Sequence, residues 1–119
     1  MALSIAHISF DCDDAATLAR FWAAALARSV DTSQPEPSEQ FARIGGTEPD
    51  VPAMLFSKVP EGRTAKNRVH LDLETDDRAG EVERLVGLGA TVVHDRDEWG
   101  SRWTTLADPE GNVFCVASH

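Results

Sequence analysis

The sequence predicts an α+β fold made of two pseudo-symmetric units, an expectation carried by three observations. The stretches His7 to Asp14 (HISFDCDD) and His70 to Asp77 (HLDLETDD) share one pattern, 63 positions apart in a chain of 119. Each alternates apolar and polar side chains with the period of a half-buried strand, then ends in an aspartate pair suited to capping a helix. After each cap the apolar spacing lengthens to three and four, the period of an amphipathic helix. Residues at matching positions of two copies should meet near the axis relating them, and His7 and His70 are such a pair.

The first unit opens with a strand over Leu3 to Cys12, and Asp13 or Asp14 caps a helix running to about Arg28. Leu18, Phe21, Trp22, Ala25 and Leu26 form one apolar stripe on it, which identifies core. The polar, proline-containing stretch from Asp31 to Gln40 reads as a loop or a ragged edge between short strands, followed by strands at Phe41 to Ile44 and Ala53 to Val59. Pro60 to Lys66 is the linker, so a single domain divides into modules of about residues 1–60 and 66–119.

The second unit repeats the plan with a strand over Arg68 to Thr75 and a cap at Asp76 or Asp77. The following helix is expected to bury Ala79, Val82, Leu85, Val86 and Leu88, and to end at Gly89, where glycine accepts left-handed backbone. Strands follow at Thr91 to His94 and Arg102 to Ala107, separated by a loop over Asp95 to Arg102. Asp108, Pro109, Glu110 and Gly111 make a tight turn into the last strand, Asn112 to Ala117.

A hydrophobic content of 42% over 119 residues is enough for a core without staples. The absence of a basic segment leading into a long apolar run predicts a soluble cytoplasmic protein with no membrane partner. A net charge of −9, with Lys and Arg scattered, argues against nucleic acid. Strand alternation puts Cys12 with Ile8 and Phe10 on a helix-facing side and Cys115 on the opposite side, so two free thiols are expected. There is no glycine-rich phosphate loop, Gly-x-Ser-x-Gly elbow or His-Glu-x-x-His helix, which leaves phosphoryl transfer and serine hydrolysis without support.

The helix of the second unit must cover the face bearing Val69, Leu71, Leu73, Phe114 and Val116. The opposite face of its first strand carries Arg68, His70, Asp72 and Glu74, which reads either as a solvated surface or as the lining of a wet trough. Asp72 or Glu74 beside His70 would orient the imidazole as a general base. Trp99 and Trp103, with Arg102 between them, suit a flat or anionic ligand or pack a seam, and Arg68 either holds a carboxylate or pairs with Asp72 or Glu74.

Four stretches in order resemble the vicinal oxygen chelate superfamily of glyoxalases, extradiol dioxygenases and bleomycin- and fosfomycin-resistance proteins, and most of all its small glyoxalase-like domains. They are Ile5 to Asp11, Lys66 to Leu73, the helix exit Leu88 to Val93, and Asp108 to Cys115. The resemblance implies paired βαβββ modules around a cupped cavity with helices outside, small-molecule binding and a homodimer. In metal-dependent members each module supplies one ligand from its first strand and one from its last. His7 and His70 match the first-strand positions. Cys115 stands where the last strand usually has glutamate, and Val51 to Pro60 holds no Asp, Glu, His or Cys. The expected function is therefore binding of a small organic molecule without a cofactor, by His7, Arg68, Trp99, Arg102, Trp103 and Cys115. The alternative is a lyase, isomerase or dioxygenase with Zn, Fe, Ni or Mn on His7, His70 and Cys115.

Overall fold

The two helices begin by the same device, one repeat length apart. The computed structural model describes residues 5–33, 36–45, 51–60, 69, 71–98 and 100–118. In it Asp14 precedes helix α1 (Ala15–Ala25) and Asp77 precedes helix α2 (Arg78–Leu88). The Asp14 carboxylate accepts from the Thr17 N–H at 3.2 Å and from its hydroxyl at 2.9 Å, and Asp77 accepts from the Gly80 N–H at 3.0 Å. Each cap thus satisfies a backbone donor that the first helical turn leaves unpaired.

Two compact units result, Met1–Gly62 and Arg63–His119. The first holds β1 (His7–Cys12), α1, β2 (Phe41–Ile44) and β3 (Ala53–Lys58). The second holds β4 (Asp72–Glu74), α2, β5 (Thr91–Glu98), β6 (Ser101–Ala107) and β7 (Val113–Ser118). The sheet orders are β1-β3-β2 and β4-β7-β6-β5. In both, the first strand lies parallel to the last, and the last is antiparallel to the strand before it. A single bridge from Val30 to Ile44 stands in the first unit where the second has all of β5. This is the βαβββ plan, twice.

In the first unit Phe10 stacks on its β3 neighbour Phe56 at 5.1 Å and lies 5.9 Å from Trp22 of α1, which meets Phe21 edge-on at 5.3 Å. Leu18, Trp22, Ile44 and Phe56 are fully buried. Removing side chains of this size from water contributes roughly 1.5–3 kcal/mol each. Cys12 is buried and Cys115 half-buried, both as free thiols. No helix among the described residues is long and apolar enough to cross a membrane.

The structure differs from the sequence expectation at several element boundaries. Helix α1 stops at Ala25 rather than near Arg28, because Ala27 turns to a φ of 53° while the Arg28 N–H reaches back to the Ala23 carbonyl at 2.8 Å. Helix α2 ends by the same pair of bonds, with Gly89 at a φ of 123° and the Ala90 N–H on the Leu85 carbonyl at 3.0 Å. Of the side chains expected beneath α2, only Leu85 is buried; Val86 is 45% and Leu88 39% exposed. The sheet beneath α2 carries the polar Thr104 and Asp95 beside Leu106, Phe114 and Val116, so the helix meets it along a narrow seam. Val69, expected to face that helix, is exposed.

The expected loop from Asp95 to Arg102 is mostly strand. Strand β5 continues to Glu98 and pairs with β6 through a hairpin whose Gly100 has a φ of 76°. A register shift between Val92 and His94 marks a bulge at Val93. The turn before β7 is as expected: the Gly111 N–H donates to the Asp108 carbonyl at 2.9 Å and Gly111 has a φ of 88°.

Candidate functional site

Alternation along β6 divides the second sheet into two chemically distinct faces. Thr104 and Leu106 lie on the side of α2, while Trp103 and Thr105 point the other way; Thr104, Leu106 and Thr105 are all buried. Register then assembles the helix-free face from four strands. One row across it is Asp72, Cys115, Thr105 and His94; the next is Glu74, Ala117, Trp103 and Arg96. The Thr105 hydroxyl and the Cys115 thiol share a hydrogen bond at 3.4 Å, and Trp103 is half-buried. Asp72, Glu74, His94 and Arg96 are exposed. The face can therefore offer a thiol and hydroxyl at its centre, carboxylates toward β4, and an indole, imidazole and guanidinium toward β5.

Arg102 belongs to the opposite face. Its guanidinium lies 3.6 Å from Asp95, whose carboxylate accepts from the Thr104 hydroxyl at 2.5 Å and from Arg78 at 3.1 Å. Arg78 also donates to Thr104 at 2.6 Å. The Thr104 hydrogen bond, helped by Arg78 and Arg102, holds the Asp95 carboxyl below its ordinary value. Trp103 and Arg102 thus alternate instead of sharing a wall.

In the first unit the helix-free face carries His7, Ser9 and Asp11 from β1, Leu55 and Ser57 from β3, and Phe41 and Arg43 from β2. His7 is exposed. Ser9 pairs with Leu55 and Asp72 with Cys115, while Ser9 and Asp72 are one repeat of 63 residues apart. Leu55 is therefore the first unit's counterpart of Cys115. A leucine has no donor atom, and a thiolate is a soft ligand poorly suited to Mg²⁺ or Mn²⁺. The last-strand residues do not fit the carboxylate-rich metal site implied by the resemblance. Arg68, His70 and Trp99 lie outside the described residues. Among those described, no three His, Cys, Asp or Glu side chains converge on a point that would hold a metal.

His94 and Arg96 were missed by sequence reasoning. Read as the end of a strand and part of a loop, they acquire a common face only once β5 extends to Glu98 and the Val93 bulge resets the alternation. A usable signal was present in the sequence: His94, Arg96 and Glu98 follow every second residue, opposite a similarly alternating Trp103 and Thr105.

A family model described as the glyoxalase-like domain matches residues 7–117. Among solved structures, a glyoxalase/bleomycin resistance protein/dioxygenase family enzyme from Burkholderia phytofirmans PsJN is similar with a TM-score of 0.77 at 15% identity, over 98% of both chains. The fosfomycin resistance protein FosX from Mesorhizobium loti has a TM-score of 0.73 at 14% identity, over 100% of this chain and 94% of its own. A mutant of FosX from Listeria monocytogenes, complexed with Mn(II) and 1S,2S-dihydroxypropylphosphonic acid, has 0.74 at 12%, over 98% and 90%. No curated protein matches the sequence.

Proposed function

This chain belongs to the glyoxalase-like domain family, and from that premise we propose that it binds a small organic molecule against the helix-free side of its sheets, without the metal site usual in the superfamily. The observation that carries the reading is the pairing of Ser9 with Leu55 and of Asp72 with Cys115. The two last-strand positions that the resemblance makes ligands would then be a side chain with no donor and a thiol already hydrogen-bonded to Thr105. A site lacking its carboxylates holds a hard divalent ion weakly. The indole, hydroxyl and charged groups of the second unit's face remain to bind an organic ligand. The protein acts as a cytoplasmic homodimer in this reading.

A second reading is favoured by one observation, that Cys115 points to the helix-free face rather than into the core. Together with His7 and His70 it would hold a divalent ion such as Zn, which accepts two imidazoles and a thiolate. The chain would then be a lyase, isomerase or dioxygenase in which Asp72 or Glu74 orients His70 as a base. The Mn(II) complex of FosX is a property of that protein and gives this reading its precedent.

Elemental analysis of untagged protein after exposure to Zn²⁺, Fe²⁺, Ni²⁺ and Mn²⁺ separates the two. The expected result is far less than one metal per chain, with organic compounds raising the melting temperature whether or not a chelator is present. Near-stoichiometric metal that disappears in the His7→Ala/His70→Ala double mutant would replace the first reading by the second.

A further inference from the structure

Arg96 stands apart from the other described arginines of its unit. Arg78 and Arg102 pair with Asp95 at 3.1 and 3.6 Å, and Arg84 pairs with Glu81 at 2.7 Å. Arg96 makes no ion pair with any described residue, although Asp95 and Asp97 flank it in sequence and the chain carries 20 acidic residues against 11 Lys and Arg. The flanking aspartates point to the other face of the sheet, as the contacts of Asp95 with Arg78 and Thr104 illustrate. Register instead sets Arg96 directly opposite Trp103, on the helix-free face. Side chains opposed in this way have Cβ atoms about 4.5–5.5 Å apart. In the neighbouring row the exposed His94 opposes the buried Thr105, adding an imidazole beside the pair.

We infer that Arg96 and Trp103 form the anchoring subsite for a flat aromatic carboxylate, the guanidinium holding the anion and the indole the ring. The inference rests on the small-molecule reading above and names the ligand class for it. A planar guanidinium binds a carboxylate through two parallel hydrogen bonds, and an indole face accepts an aromatic ring by offset stacking. Glu98 shares the face two residues along β5 and makes no ion pair with Arg96.

The test is titration calorimetry of the full chain with 2-naphthoate and with its neutral isostere 2-naphthamide, in low salt. Naphthoate should bind at least about tenfold tighter than the amide. Arg96→Gln should remove that preference, Arg84→Gln should keep it, and Trp103→Leu should weaken both compounds together. Comparing acid with amide on the unaltered protein needs no variant to fold. Equal binding of acid and amide, or a preference untouched by Arg96→Gln, overturns the inference and leaves small-molecule binding standing. So does failure of both naphthalenes while other organic compounds raise the melting temperature. If no organic compound does, the broader reading falls with it.

Discussion

Asp108 is 3% exposed and accepts hydrogen bonds from the Glu110 and Asn112 N–H groups at 2.9 Å each, and from the Asn112 side-chain amide at 3.0 and 3.2 Å. One buried carboxylate thereby replaces water for the donors of the turn that aims β7. Replacing it strands those donors, and a buried unmade hydrogen bond costs about 1–3 kcal/mol. Asp108→Ala is expected to lower stability by roughly 2–3 kcal/mol, read as a shift in denaturant midpoint at constant slope. Asp108→Asn, which keeps one acceptor oxygen, should lose less; equal loss in the two variants would mean that the charge rather than the acceptor matters. The Thr105–Cys115 contact at 3.4 Å is of another kind, since a thiol bonds weakly and constrains the face little.

The helices are two solutions to one problem. Helix α1 is alanine-rich, whereas α2 carries Gly80 and Gly87 within its span. A Cβ added at Gly87 would meet nothing within 4 Å. Gly87→Ala should therefore raise stability by about 0.5–1 kcal/mol, because glycine loses more backbone freedom on folding. Thermal unfolding measures it, and an unchanged or lower melting temperature would show that α2 is strained at that point. Gly80 is a different case: its added Cβ would lie 2.3 Å from the Asp77 carboxylate, which must swing aside, whereas Asp14 at the matching cap accepts from both the N–H and the hydroxyl of Thr17. The helix starts and the final turn were legible in the sequence because capping and turn chemistry are local, as Asp14, Asp77, Gly89 and Asp108 illustrate. The extent of β5 was not. Arg96, Asp97 and Glu98 have no preference for strands, and only pairing with Trp103, Arg102 and Ser101 makes them one. Arg96, at the β5 end of the second unit's face, went unseen with it. The period of α2 likewise identified which side faces the sheet, but not how closely the sheet approaches. That distance depends on Arg78, Thr104 and Asp95, far apart in sequence.

At the scale of the whole molecule, the repeat is faithful in plan and unequal in packing. Eight of the eleven residues of α1 are buried, against Leu85 alone in α2. Elements with few buried apolar contacts open locally at lower cost than those in a dense core. Amides of α1 are accordingly expected to exchange with solvent deuterium at least about tenfold more slowly than those of α2. Native-state hydrogen exchange followed by mass spectrometry decides this, and equal protection of the two helices would mean that Leu85 and the Arg78 network hold α2 as firmly as the aromatic core holds α1. The divergence reaches the ends of the units as well. The helices keep the offset of 63 residues, but β3 and β7 start 60 apart, so the segments between helix and last strand have changed length.

Trp22 has a further consequence as an optical probe. It is 1% exposed, set edge-on to Phe21 and tilted against Phe10 at 41°. An indole locked among other rings absorbs left- and right-circularly polarised light unequally, and that near-ultraviolet signal vanishes when packing loosens even if helices survive. Trp103, half-buried on the open face of the other unit, is accessible to a quencher dissolved in the solvent. The first unit thus carries its own spectral signature, by which loosening of its aromatic core can be followed in solution without a label.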